Sequence, residues 1–196
     1  MSPFVTFIIP TTGRQTLKRT ISSLLKQGDS DWAAVIVGDC VADAELRKFF
    51  VTDSRVMFFN SPEKLGHDNV GAEVRNFGLY RIDRFENHPQ WIASLDDDDT
   101  VTPDYVGRLK KESPGMDLIQ FRALWENGID IRPEIGEKRL LARTVCNAFA
   151  FRYEFAWLHE LRFVDGTSED WATISAFIAA GAETKISEYV TYQVRR

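Results

Sequence analysis

The stretch Trp91-Ile92-Ala93-Ser94-Leu95-Asp96-Asp97-Asp98-Asp99-Thr100 constrains this chain more than any other. An apolar run of strand length ends abruptly in four consecutive carboxylates, and Pro103 follows soon after. Adjacent anions repel one another, so either a positive partner sits among them or all of them face water. One reading is a solvated acidic turn that caps the next helix. The other is a ligand site, because in open α/β sheets ligands bind beyond the carboxyl ends of the strands. Aspartate oxygens are also natural ligands of Mg²⁺ or Mn²⁺.

The rest of the chain supplies such a sheet. Phe4 to Ile9 reads as a first strand closed by Pro10, and Ala33 to Val37, Val56 to Phe59 and Trp91 to Leu95 as three more. Between them lie helical stretches. Thr12 with Gln15 fits a capping box, Leu17, Ile21, Leu24 and Leu25 share one face, and Gly28 stops that helix. Val41 to Phe50 is a second helix, and Val70, Val74 and Phe77 mark a third that runs to about Phe85. Pro103 to Glu112 is a short helix, with Thr100 or Thr102 as its cap. Asn60 to Asn69 reads as a loop. Apolar strands alternating with helices predict an α/β fold, a mostly parallel central sheet flanked by helices on both faces.

From Met116 the pattern changes. Asp117 to Trp125 and Ile129 to Arg132 flank the turn Glu126-Asn127-Gly128, which predicts a small antiparallel element. Thr144 to Arg152 is a further strand, Tyr153 to Leu161 a helix, and Asp165 to Ser168 a polar turn. The helix from Trp171 to Ala180 is expected to bury Trp171, Ile174, Phe177 and Ile178, and Ile186 to Val194 is strand-like.

The length of 196 residues, 44% of them hydrophobic and 27% charged, suits one domain over residues 1–196 with one substantial core. A net charge of −5 argues against a nucleic-acid partner bound through a general positive surface. Cys40 and Cys146 form no metal pattern and read as buried free thiols in a reducing compartment. No stretch approaches the roughly 20 apolar residues of a membrane span. The start, Met-Ser-Pro-Phe, lacks a signal peptide's basic flank and cleavage site, so a soluble cytoplasmic protein is expected.

Five stretches, in this order and spacing, resemble the family 2 glycosyltransferases, enzymes of the GT-A fold that use nucleotide-diphosphate sugars. They are Phe4-Val-Thr-Phe-Ile-Ile-Pro-Thr-Thr-Gly-Arg14, Ile36-Val-Gly-Asp39, Gly71-Ala-Glu-Val-Arg-Asn-Phe-Gly-Leu79, Trp91-Ile-Ala-Ser-Leu-Asp-Asp-Asp-Asp99 and Glu169-Asp170-Trp171. The chain departs from the family at Gly38-Asp39-Cys40, where paired acids often stand, and no histidine follows His159. Metal coordination then relies on carboxylates, diphosphate and water, or the missing piece lies beyond this sequence.

The resemblance implies a metal-dependent, inverting transfer of a sugar from a nucleotide-diphosphate donor, a UDP-sugar favoured, to a hydroxyl on a glycan or glycoconjugate. Residues 1–100 would be the nucleotide half and 101–196 the acceptor half. Asp98, with Asp96 and Asp99, would hold Mn²⁺ or Mg²⁺. Strand alternation favours Asp96 and Asp98 acting together, and Asp99 replaces one of them if the chain turns early. Pro10, Thr11, Thr12, Arg14, Asp39, Arg75, Asp96 and Asp97 would meet the nucleotide. Asp39 would accept from the N3–H of uracil or thymine, or else cap the following helix. Arg75 would reach phosphate or ribose, or else partner the aspartates structurally.

Asp170 would be the catalytic base, with Glu169 second, although acids in a first helical turn also answer the helix dipole. His67, His88 and His159 stay unassigned. Two rivals remain. Asp96-x-Asp98-x-Thr100 also matches the D-x-D-x-T of Mg²⁺-dependent phosphohydrolases, and a catalytically inactive nucleotide-sugar-binding module would keep the same pocket.

Overall fold

The computed structural model describes residues 2–66, 71–126, 128–166 and 168–195. Four strands form the parallel half of its sheet: β1 (Val5–Thr11), β2 (Trp32–Gly38), β3 (Val56–Asn60) and β4 (Trp91–Ser94). They lie in the order β3-β2-β1-β4, with Val5 paired to both Trp32 and Trp91. β2 is apolar throughout and β1 is apolar apart from the buried Thr6 and Thr11, because both faces of the sheet are covered. Val5, Phe7 and Ile9 enter one core, with Leu17, Ile21 and Leu24 of α1 (Leu17–Leu25) and Tyr105, Val106 and Leu109 of α4 (Tyr105–Glu112).

Ile8 points the other way, into a core shared with α3 (Ala72–Ile82), α5 (Tyr153–Leu158) and α6 (Glu169–Ala179). A side chain at Gly78 would bring its Cβ to 2.9 Å from Ile8 and 3.1 Å from Val37, so glycine lets α3 seat directly on the sheet. Val41 to Phe50 folds as a short α2 (Asp43–Leu46) continued by a 3₁₀ turn over Arg47–Phe49.

Beyond β4 the sheet continues as a mixed one. β6 (Leu118–Leu124) and β8 (Phe149–Arg152) are antiparallel neighbours, and β8 runs antiparallel to β4. The antiparallel element expected in this half is therefore part of the main sheet, and β7 (Ile131–Arg132) folds back on β6 as the turn signal implied. Asn127 of that turn lies outside the described residues, as do His67 and Val70. The last strand, β9 (Thr184–Gln193), lies parallel to β6 and antiparallel to β5 (Thr100–Val101). Among the described residues, no helix is long and apolar enough to cross a membrane.

Several local expectations are corrected. Gly13 adopts φ +86°, which turns the chain between Thr12 and Arg14. The helix therefore starts at Leu17 with Thr16 at its cap, and the Thr12–Gln15 box does not form. Thr100 is drawn into β5 and caps nothing, while the Thr102 hydroxyl donates to Asp104 at 2.6 Å and α4 starts at Tyr105. The strand expected from Thr144 begins only at Phe149. α6 packs through Thr173, Ile174 and Phe177, which leaves Ile178 exposed and Trp171 half-buried. Cys40 is exposed at a left-handed turn, φ +56°, whereas Cys146 is buried as expected.

Candidate active site

The parallel strands β1, β2 and β4 end at one edge of the sheet, and a cleft of about 710 Å³ opens there. Pro10, Thr11, Thr12, Arg14, Asp39, Arg75, Asp96, Asp97, Asp98, Asp99, Glu169 and Asp170 all line it. Each strand contributes through its own final residues and the turn that follows, as strand polarity in such sheets requires. A larger depression of about 930 Å³ lies at the opposite end of β4, lined by Trp91, Tyr153, Trp157 and His88. It contains none of the residues expected to meet the nucleotide, the metal or the acceptor. The His159 ring lies tilted against Phe155, with ring centroids 4.3 Å apart.

The aspartate quartet divides. Asp97 (1% exposed) and Asp99 (4%) turn inward, while Asp96 and Asp98 keep a partly open face. Asp97 accepts from the Thr11 hydroxyl at 2.6 Å and pairs with Arg14. Asp98 Oδ2 accepts from Arg14 Nη1 at 2.8 Å. Asp99 Oδ1 accepts from the Arg195 backbone N–H at 2.8 Å, and its carbonyl accepts from the Thr20 hydroxyl at 2.8 Å. Asp96, Asp98 and Asp99 each offer a carboxylate oxygen, and these oxygens lie within 4.8 Å of one another. An all-oxygen donor set at that spacing fits a hard divalent cation.

Charge balance supports the same fit. Among the described lining residues there are seven carboxylates against Arg14, Lys64 and Arg75, a formal excess of four negative charges. Burial, and then the neighbouring Asp96, pushes the Asp99 carboxyl up to about 7. Burial also raises Asp98, although Arg14 opposes it. The quartet is short of positive charge in spite of the two arginines, the condition that a bound cation relieves.

Arg75 does partner the aspartate cluster, and it also lines the cleft. It is fully buried; its Nε donates to the Ser94 hydroxyl at 3.0 Å, its Nη1 to Glu169 at 2.6 Å, and its Nη2 to Asp96 Oδ1. Burial works against its charge, but Asp96 and Glu169 outweigh that and raise its pKa. Asn147 bonds the same Asp96 Oδ1 at 2.8 Å and also takes the Ser94 hydroxyl. Gly71 completes the cluster: its N–H donates to Glu169 Oε2 at 3.0 Å, and a Cβ there would lie 2.6 Å from Arg75 Nη1. Both oxygens of Glu169 are thus engaged. Its neighbour Asp170 has its carboxyl pushed up to about 7 by burial, against the pull of Arg75.

Asp39 does not cap a helix; Ala42 holds that position. Its Oδ1 accepts from the N–H of Leu65 at 2.6 Å and of Gly66 at 3.2 Å, which ties the loop after β3 to the floor of the cleft. Lys64, Trp125, Asn147 and Tyr192 line the cleft without having been foreseen. No local pattern marks them, since they arrive from loops and strand ends far along the chain. The phosphohydrolase alternative loses a support here, because the Thr100 hydroxyl donates to Gln193 at 3.3 Å from within β5.

Residues 6–113, more than half of the chain, match the model of Glycosyl transferase family 2. The chain belongs to that family. It is 31% identical over 106 residues to WcaA of Escherichia coli (strain K12), named as a colanic acid biosynthesis glycosyl transferase, with 52% of this chain and 35% of WcaA covered. It is 34% identical over 109 residues to the succinoglycan biosynthesis protein ExoO of Rhizobium meliloti (strain 1021), with 55% of this chain and 29% of ExoO covered. This family 2 member thus spans about a third of the length of the curated relatives it matches. Among solved structures, S. aureus TarS 1–349 in complex with UDP-GlcNAc matches all of this chain and 59% of its own, at TM-score 0.77 and 14% identity. The same fragment with UDP matches 99% of this chain and 60% of its own, at TM-score 0.76 and 15% identity. At that identity the likeness establishes the shared GT-A fold.

Proposed function

We propose that this chain transfers a glycosyl group from a nucleoside-diphosphate sugar to a hydroxyl of a glycan or glycoconjugate, with inversion at the anomeric carbon. One observation carries the reading. Asp170, with its carboxyl near 7, shares a single cleft with the carboxylate trio and with the turn residues Thr11, Arg14 and Asp39. A base that titrates near the working pH suits proton abstraction from a hydroxyl. The TarS complexes with UDP and UDP-GlcNAc support a uridine donor, and the names of WcaA and ExoO support a glycan acceptor.

In this reading residues 1–100 carry the donor and residues 101–196 the acceptor. The acceptor oxygen bonds to the anomeric carbon as the bond from that carbon to the diphosphate breaks. Asp170 takes the hydroxyl proton, and the nucleoside diphosphate departs with the bonding electron pair. Glu169, engaged by Arg75 and Gly71, holds α6 in position. Asp39 keeps lone pairs for a base N–H beside those given to Leu65 and Gly66. Asp96, Asp98 and Asp99 would hold Mn²⁺ or Mg²⁺, which when bound supplies positive charge beside the departing diphosphate.

Calorimetry with UDP, GDP and dTDP, each with and without Mn²⁺, tests the proposal. UDP should bind in a metal-dependent way, and Asp98→Ala should abolish that dependence while the fold persists. Phosphate release from p-nitrophenyl phosphate with no nucleotide binding would sink it in favour of a hydrolase.

A further inference from the structure

The carboxylates offered to a cation are not equally accessible. Asp96 gives Oδ1 to Arg75 and Asn147, and Asp99 gives Oδ1 to the Arg195 N–H and also bonds the Tyr192 hydroxyl, yet each still offers an oxygen toward a cation. Asp98 gives Oδ2 to Arg14, whose other nitrogen pairs with Asp97. The two guanidiniums differ in freedom. Arg75 is buried among its partners, whereas the Arg14 side chain is 52% exposed and rooted in the turn before α1.

We propose that Arg14 is an exchangeable placeholder cation: it occupies Asp98 until the donor's diphosphate takes the guanidinium and a divalent ion takes the carboxylate. This rests on the donor reading above and adds an order of exchange to it. A planar guanidinium matches two phosphate oxygens as well as it matches a carboxylate. A divalent ion and a guanidinium on one carboxylate repel each other. Each ligand therefore removes the obstacle to the other, and by linkage the two affinities reinforce reciprocally. The departure of Arg14 does not orphan Asp97, which retains the Thr11 hydroxyl at 2.6 Å.

The test is calorimetry on wild type, Arg14→Gln and Arg14→Lys, using Mn²⁺ alone, UDP in EDTA, and UDP with Mn²⁺, with thermal unfolding to verify each fold. Arg14→Gln should bind Mn²⁺ alone about tenfold more tightly than wild type and UDP in EDTA about tenfold more weakly, within the usual range of coupling energies. Arg14→Lys keeps the charge without the fork and should fall between. Opposite signs on the two ligands are the signature of exchange. Weakening of both indicates a structural residue, and tighter Mn²⁺ with unchanged UDP indicates simple repulsion of the metal; either result overturns the proposal. If wild type binds no UDP even with Mn²⁺, the donor reading itself falls and takes the exchange with it.

Discussion

The two ends of β4 carry clefts of opposite character. At the amino end the larger one, about 930 Å³, is floored by Trp91 and Tyr153 and rimmed by the exposed Trp157. Its charged groups are mostly paired within the chain: Asp83 accepts from the Tyr153 hydroxyl at 2.9 Å, and Arg152 reaches Asp117 at 3.2 Å. At the carboxyl end the smaller cleft, about 710 Å³, gathers seven carboxylates around three cations. Volume alone would select the amino end, not the cleft proposed as the site. What separates them is charge that the protein does not neutralise, since a fold keeps such groups together only where something else supplies the balance.

The largest expected effect sharpens that contrast. Asp170→Asn should lower kcat by about 10²–10⁴-fold, the usual worth of a general base, while donor affinity measured by calorimetry is retained. In wild type kcat/KM should fall as pH drops through about 7, because protonated Asp170 accepts no proton. Turnover unaffected by the substitution would remove Asp170 from the chemistry.

Next comes stability. Arg75→Met leaves Asp96 and Glu169 facing each other on the cleft wall and should cost about 3 kcal/mol in urea unfolding, the low end for loss of one partner of a buried ion pair, because both carboxylates keep some contact with water. A cost below about 1 kcal/mol, the range of an exposed pair, would mean that the arginine holds nothing.

A smaller effect follows pH. Asp98, Asp99 and Asp170 have folded pKa values above the ordinary 3.8. Their contribution to stability is complete below 3.8 and is lost as pH rises through the folded values. Asp29, Asp53 and Asp104, whose pKa values are lowered, are fully ionised above pH 5 and do not obscure this window. The metal-free protein should therefore melt at a higher temperature at pH 5.5 than at pH 8, and Mn²⁺ should raise the melting point more at pH 8. Equal melting points at the two pH values would contradict the charge imbalance.

The smallest effect is expected at the other end. Trp157→Ala should leave kcat unchanged and stability within about 0.5 kcal/mol, as for an exposed side chain. A large loss of turnover there would break the comparison outright.

The sequence by itself determined the layered framework and most of the cleft. Apolar strand-length runs alternate with helices, and that periodicity is local, so β1 to β4, α1 and α3 were legible from neighbouring residues. The acidic run was legible as an unusual cluster at a strand end, whereas the turn after β1 and the Glu169-Asp170 pair were legible through the family resemblance. Tertiary structure alone decided how those residues face one another. Thr11 meets Asp97 across 86 positions, Arg75 meets Glu169 across 94, and the Arg195 N–H meets Asp99 across 96. It also pulled Thr100 into β5 and brought Asn147 onto Asp96, turning two of four identical side chains inward. Such choices follow from packing and from satisfying buried polar groups over long chain separations, which no short window of sequence contains.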